Sequence, residues 1–583
     1  MVMAASSPSD SVFVILCFLF LSSLALATKY QEDDNVTLWA NVVGPYNNPQ
    51  ETYSFYSLPY CRPSGVATKN TSDLGVLLKG NQLIDTQVDI KFKRDIHRIS
   101  LCEVKLDAAA VKLFKDAISS SYWFELFLDD LPLWGFIGHE DYYNKVMIYT
   151  HWNIAIHYNG EQIIHVNFSQ ENPKPLEKGR QLNMTYSVNW IPTDTKFSRR
   201  FDVYLDHRFF EHQVHWFSIF NSLVMVVFLA GLVSKILMRT LCTEDGKHAR
   251  EDIDLGLLEK ELVEESGWKL LHGDVFRPPQ NLALFSAIVG TGVQLMMLVF
   301  LLIIFAIFGR LYMWRGAITT AFLYCYALTS FVLGYTSGAI YFRYGGEKWK
   351  KAMILTAFLF PCIGFAISSI LDIIAMFYGS LAPIPSNIMV VALAIWAFIS
   401  LPLVVVGTLV GRNFGGAPND PCRTNTIPRP IPEKRFYLTR SVICLMGGVL
   451  PFGSIFVEIY FVFTCLWNYK IYYLYGVLLL VFIILIIVTI FATILGTYML
   501  LNAENHHWQW TSFLAGASIA IYIFLYSIYY YHVKTRISSF IQASIYFGST
   551  LMLSLGLGIL CGAVGYVASN LFVRWIYRNI KCE

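Results

Sequence analysis

Val477-Leu-Leu-Leu-Val-Phe-Ile-Ile-Leu-Ile-Ile-Val-Thr-Ile490 lies within a longer run, Tyr472 to Leu500, that carries no charged residue. A helix needs about 20 apolar residues to cross the hydrocarbon core of a bilayer, and this run exceeds that. No water is available there, so the backbone must satisfy its own hydrogen bonds within a helix. The stretch therefore reads as a transmembrane helix, and the rest of the chain is read outward from it.

Eight further apolar runs flank it: His215–Met238, Leu282–Phe308, Ala317–Phe342, Ala352–Tyr378, Asn387–Gly411, Ser441–Cys465, Thr511–Val533 and Ile541–Val573. Together with Tyr472–Leu500 they predict nine spans. Nine crossings place the two chain ends on opposite sides. Charge sets the direction, because Lys and Arg collect on the cytosolic side. With the N-terminal region lumenal, the predicted cytosolic connections carry Arg239, Lys247, Arg250, Lys260, Lys269, Arg277, Arg343, Lys348, Lys350, Lys351, Arg412, Arg423, Arg429, Lys434, Arg435 and Arg440, and the tail adds Arg574, Arg578 and Lys581. The lumenal connections carry Arg310, Arg315, Lys470, Lys534 and Arg536. An even number of spans spoils half of this bias.

Composition agrees. The 583 residues are 55% hydrophobic and 15% charged, which excludes an ordinary soluble protein. A net charge of +3 with no basic stripe gives no ground for nucleic-acid binding. The 11 cysteines show no zinc spacing; Cys325, Cys362, Cys444, Cys465 and Cys561 fall in apolar runs and are expected as buried thiols.

Val12 to Leu26 is a shorter apolar run ending at Ala25-Leu26-Ala27, the pattern of a signal peptide cleaved after residue 27. The segment from Thr28 to about Glu211 then enters the secretory lumen. Four Asn-x-Ser/Thr sequons, at Asn35, Asn70, Asn167 and Asn183, fall here and none elsewhere, so these asparagines are expected glycosylation sites. Cys61 and Cys102 are its only cysteines, which suits one disulfide in an oxidising compartment. The texture is β-rich and sandwich-like. Around Asn159-Gly160 two alternating arms, Ile154/Ile156/Tyr158 and Ile164/Val166/Phe168, read as a hairpin, with a three-residue loop needed to bring both apolar sets to one face. Asp107–Ser120 reads as one amphipathic helix through Val111, Phe114, Ala117 and Ile118. His139-Glu140-Asp141 with His151, His157 and His165 invites a metal reading, but histidines on a solvated sheet are commoner, and no metal, cofactor or catalytic site is expected. His157 and His165 share a face only if the turn permits it.

Between the spans, Thr240–Gln280 reads as a solvated mixed-charge loop and Arg412–Arg440, rich in proline, as extended chain. Two acids lie inside spans, Asp372 and Glu458, each about 10 Å from the lumenal end at helical rise. Charge at that depth normally faces protein or water. Either they line a polar groove open to another helix or a solute, or they are protonated or paired structural acids. Ser330/Gly334/Gly338 and Ser554/Gly558/Gly562 repeat at helical spacing, as packing faces within the bundle or as docking faces for a partner's helix. Pro361, Pro402 and Pro451 are expected to kink their helices.

Four local strings, Leu58-Pro-Tyr-Cys61, Leu131-Pro-Leu-Trp-Gly-Phe-Ile-Gly-His139, Gly345-Gly-Glu-Lys-Trp-Lys350 and Pro451-Phe-Gly-Ser-Ile-Phe-Val-Glu-Ile-Tyr460, sit on this layout. With them the whole chain resembles the nonaspanins, the transmembrane nine superfamily of endomembrane proteins, in its subgroup with smaller lumenal domains. The resemblance implies a polytopic α-helical membrane protein of the Golgi and endosomes, with nine transmembrane helices and an N-terminal β-rich lumenal domain. It would help to localise other membrane proteins by recognising their transmembrane segments. The ending Lys581-Cys582-Glu583 is similar to the family's retention signal for the COPI coat, and Phe572-Val-Arg-Trp-Ile-Tyr577 to its aromatic signal for COPII-type export machinery, although Trp575 and Tyr577 also suit an interfacial aromatic anchor. The rival reading is a transporter or channel that uses Asp372 and Glu458 in a path for a small polar solute; no evident inverted repeat favours it.

Overall fold

The computed structural model describes residues 29–48, 51–62, 83–141, 145–200, 216–251, 267–309, 317–381, 383–415, 421–432, 436–467, 475–535, 537 and 539–578. The chain divides into an N-terminal β unit and a C-terminal helical unit.

The β unit is built on two five-stranded sheets. In the first, β1 (Leu38–Pro45) pairs with β5 (Tyr122–Leu128), which pairs with β6 (Leu131–Phe136); β2 (Tyr53–Ser54) and β3 (Ile84–Asp85) share the other edge of β1. In the second, β4 (Ile96–Lys105) pairs with β10 (Gln181–Pro192), which shares one edge of β8 (Val146–Asn159) with the short β7 (Gly138–Glu140), while β9 (Gln162–Pro175) runs along the other edge. Aromatic rings bridge the sheets: Phe124 of β5 lies 5.8 Å from Trp152 of β8 and 5.9 Å from Phe168 of β9. Helix α1 (Ala108–Ser119) is capped by Asp107, whose side chain accepts from the Ala110 N–H. It buries Ala110, Phe114, Ala117 and Ile118, with Ala110 in the place expected for Val111.

The β8–β9 hairpin corrects the loop expectation. Asn159 pairs with Gln162, so the loop is the two residues Gly160 and Glu161, with Gly160 at φ +60°. The register is restored instead by a bulge: Tyr158 pairs with Ile163 and His157 with His165, leaving Ile164 as the extra residue. Ile156 thereby faces Val166 and Ile154 faces Phe168.

Among the described residues of the helical unit, nine helical stretches are long and apolar enough to cross a membrane. They are α2 (Trp216–Glu251), α3 (Leu282–Gly309), α4 (Ala317–Arg343), α5 (Trp349–Phe377), α6 with α7 (Ser386–Ile395 and Leu401–Phe414), α8 (Arg440–Trp467), α9 (Tyr475–Asn502), α10 with α11 (Trp508–Ala517 and Ile519–Lys534) and α12 (Phe540–Arg578). Helices α5 and α8 run through Pro361 and Pro451. At Pro402 the span widens: Trp396–Ser400 forms a π turn, in which the Leu401 N–H bonds back to the Trp396 carbonyl just before the residue that cannot donate.

Glycine governs the closest packing. A Cβ at Gly334 of α4 would lie 2.2 Å from the Val404 carbonyl oxygen of α7, and one at Gly411 of α7 would lie 2.4 Å from that of Tyr335. Only glycine permits that approach. The Ser554/Gly558/Gly562 stripe of α12 likewise meets Ala517, Ala520 and Phe513 of the broken eighth span. Both stripes are therefore occupied within the bundle. The thiols divide: Cys325 and Cys561 are buried, Cys444 and Cys465 half-buried, and Cys362 exposed on the open side of α5.

Candidate functional site

The α12 helix has 39 residues, about 58 Å at helical rise, nearly twice a bilayer core. Its surplus turns enter a cap formed by three connections of the helical unit. In the first, Trp268, Leu271, Val275 and Phe276 pack with Phe572, Val573, Ile576 and Tyr577 of α12 in one buried cluster. Their spacing, with apolar residues at 268, 271, 275 and 276, is the signal the charge-based loop reading passed over. The Tyr577 hydroxyl donates to the Trp268 carbonyl. Trp508 Nε1, at the start of α10, donates to the Val275 carbonyl at 2.7 Å, Gln509 Nε2 to that of Arg277 at 2.9 Å, and Trp510 Nε1 to that of Gln280 at 2.8 Å.

Asp274 joins the connections electrostatically. Buried at 2% exposure, it accepts from the Arg277 guanidinium and from the Arg429 backbone N–H at 3.1 Å. Arg277 also donates to the Asn425 carbonyl at 2.8 Å, and the Asn425 N–H to that of Gly273 at 2.7 Å. Burial by itself raises the Asp274 carboxyl. The Arg277 and Arg429 hydrogen bonds and the charges of Arg277 and His506 outweigh it, so the pKa falls below its ordinary value. Thr240–Gln280 is thus not a solvated loop throughout: α2 continues to Glu251, and the stretch from Trp268 onward is core.

This bears directly on the aromatic motif. Of Phe572, Val573, Arg574, Trp575, Ile576 and Tyr577, four side chains are buried, while Trp575 is 40% exposed and Arg574 half-buried. The span expected to end at Val573 continues as helix to Arg578. Lys581, Cys582 and Glu583 lie outside the described residues, as does Asn70.

The two intramembrane acids stand on helices with different principal neighbours. Helix α5 packs on α4, α7 and α12; α8 packs on α2, α9, α10 and α11. Asp372 Oδ1 accepts from the Ile384 N–H at 3.3 Å, tying the end of α5 to the following connection, and Oδ2 is shielded without a hydrogen-bond partner among the described residues. Glu458 is 6% exposed and engaged within the chain.

In the β unit, Cys61 and Cys102 form a disulfide across 41 residues. Asn35, Asn167 and Asn183 are exposed. His157 and His165 do share a face, with ring centroids 5.6 Å apart, and His165 Nε2 lies 2.7 Å from Asn167 Oδ1. His151 is held by Thr185 Oγ1 at 2.8 Å and Ser187 Oγ at 3.2 Å. Among the described residues no three His, Cys, Asp or Glu side chains converge on a point that would hold a metal.

The model of the family described as Endomembrane protein 70 matches residues 52–540. Transmembrane 9 superfamily member 4 of Arabidopsis thaliana is 37% identical over 594 residues, covering 98% of each chain. The chain belongs to the transmembrane 9 superfamily. Transmembrane 9 superfamily member 3 of the same plant is 38% identical with 95% of each chain covered, and member 1 of Mus musculus is 34% identical, again with 95% of each. No solved structure matches. In this transmembrane 9 chain the matched region takes in most of the β unit and eight of the nine spans.

Proposed function

We propose that this transmembrane 9 protein resides in Golgi and endosomal membranes, is not an enzyme, and assists the localisation and trafficking of other membrane proteins by recognising their transmembrane segments. The β unit is lumenal and glycosylated, and the C-terminus is cytosolic. COPI binds Lys581-Cys582-Glu583 and retains the protein, while COPII-type machinery exports it.

The observation that carries this reading is that, among the described residues, an odd number of helical stretches long and apolar enough to cross a membrane lies between a disulfide-bonded, sequon-bearing β unit and the Lys-x-Glu ending. With both small-residue stripes occupied and Glu458 enclosed, the recognition surface is the open face of α5, which runs past Cys362 and Ser368 to Asp372. Asp372, with Oδ1 on the Ile384 N–H and Oδ2 shielded, offers a polar contact to a marginally apolar cargo helix once the segment at Ile384 moves aside. Burial of Phe572, Val573, Ile576 and Tyr577 leaves Arg574 and Trp575 as the part of the export motif that machinery can touch while the cap is closed.

Crosslinking from Cys362 in native membranes tests it. Transmembrane peptides of other proteins should be captured, and fewer after Asp372→Leu. Capture of lipid alone overturns recognition on α5. A tag on Glu583 that protease reaches only from inside sealed vesicles overturns the topology.

A further inference from the structure

The turn Gly345-Gly-Glu-Lys-Trp-Lys-Lys351 joins α4 to α5. Gly345 takes φ +72°, and a Cβ at Gly346 would strike the Tyr341 ring, so the turn folds tightly back. It presents Lys348, Lys350 and Lys351 as exposed cations at the start of α5. Arg412, exposed near the end of α7, joins them. Its guanidinium stands 5.2 Å from the Phe342 ring centroid and 5.6 Å from that of Trp349, and Lys350 Nζ is 5.9 Å from Trp349. Glu347 is the sole carboxylate of the turn, and none of the four cations forms an ion pair among the described residues. Elsewhere at this end of the bundle, Arg277 is paired with Asp274, Arg429 with Glu504, and Arg440 is hydrogen-bonded to Thr511.

We propose that this corner binds the headgroup of an anionic membrane phospholipid that carries a phosphomonoester. The cations lie in the first or last turn of a span, at the level of the membrane surface. Stacking on Phe342 and Trp349 fixes Arg412 at that level. A phosphomonoester brings about −1.5 to −2 charges near neutral pH, which matches an excess of cations that a singly charged headgroup leaves unneutralised. The acyl chains have a path along the open side of α5, where Ile354 is 56% and Phe358 42% exposed. The assignment of the corner to the cytosolic leaflet rests on the orientation proposed above, since juxtamembrane cations attract anionic lipid there.

The test uses the full-length protein in nanodiscs of phosphatidylcholine doped with phosphatidylinositol 4-phosphate, or with phosphatidylserine at matched charge, and counts retained lipid by native mass spectrometry. The wild type should enrich the phosphomonoester lipid over phosphatidylserine. At about fivefold per cation, the triple variant Lys348→Ala/Lys350→Ala/Lys351→Ala should lose roughly a hundredfold of that enrichment, and Arg412→Ala about fivefold. The triple Lys→Arg variant and Arg578→Ala should retain it, which separates lost charge from lost folding. Equal enrichment of phosphatidylserine, an alanine triple variant that behaves as wild type, or displacement of the lipid by inorganic phosphate overturns the proposal. Nanodiscs expose both leaflets, so this result does not depend on orientation, which the Glu583 protease experiment reads separately.

Discussion

The phenol of Tyr577, on the last turn of α12, donates its hydrogen bond to the carbonyl oxygen of Trp268, 309 residues earlier in the chain. The two rings also meet edge to face at 5.4 Å. This contact ties the end of the ninth span to the connection between the first two. Near-complete burial of both partners removes water as a substitute.

Tyr577→Phe keeps the ring and removes one of the hydrogen bonds to the Trp268 carbonyl, which retains its place in the 3-10 turn Gly267–Leu271, so it should destabilise the cap by about 0.5–1.5 kcal/mol. Thermal unfolding of the purified protein should show a lower midpoint, with faster amide exchange around Trp268. An unchanged midpoint and unchanged exchange would mean that the bond is not made in solution.

Asp274→Asn should destabilise the cap at neutral pH, by about 1.5–3 kcal/mol, because it leaves Arg277, a quarter exposed and still bonded to the Asn425 carbonyl, without its carboxylate. The pH dependence has a definite sign. The folded pKa lies below the ordinary 3.8, so the ionised carboxylate contributes stability that is fully present above that value and is lost as the pH falls through the depressed one. The gap between wild type and variant should therefore close in acid below about pH 4. A gap that stays constant across that range would show that charge has no part in it.

Gly334→Leu should separate α4 from α7, since even its Cβ would sit 2.2 Å from the Val404 carbonyl oxygen. Overpacking of this kind costs about 1–3 kcal/mol or more. Gly556→Leu is the matched control, with nothing within 4 Å of a Cβ. Folded yield in detergent should fall for the first and hold for the second, and equal yields would contradict the close approach.

Two histidines of the β unit should confer acid sensitivity. Burial lowers the pKa of His157; for His151, burial and Arg98 together outweigh Glu171 and the Thr185 bond. Groups held neutral by the fold contribute stability above their ordinary pKa of 6.5, and it declines as the pH drops below it. Protection of the β8 and β10 amides, taken relative to the intrinsic exchange rate at each pH, should fall in the intact protein between neutral and mildly acidic pH, and His151→Gln/His157→Gln should flatten that response. Equal pH dependence in both proteins would remove the histidines as its cause.

Much of the architecture was legible because lipid imposes a long, uninterrupted apolar run, and Val477–Ile490 cannot be read otherwise. The β-sandwich was legible from alternation, yet the bulge at Ile164 was not, because a residue can be added in a strand as readily as in a loop and the apolar pattern is the same. The cap was illegible for a different reason. Charge counting weights Asp274, Arg277 and Lys269, while Trp268, Leu271 and Val275 between them form the buried side. The aromatic motif carried its own warning: residues 572, 573, 576 and 577 share one helical face, which is how a packed stripe looks. Asp372 and Glu458 were visible as acids in apolar runs, but which helices flank each depends on contacts between distant segments that no local pattern encodes.

The glycine contact between α4 and α7 constrains biogenesis as well as architecture. The two helices meet backbone to backbone, yet all of α5 and α6 must be synthesised between them. Until α7 leaves the ribosome and enters the bilayer, the grooved side of α4 has no mate. The nascent chain therefore passes through an interval in which lipid or an insertion chaperone must occupy that seam, and substitutions there should betray themselves as early degradation during synthesis rather than as failure of the finished protein.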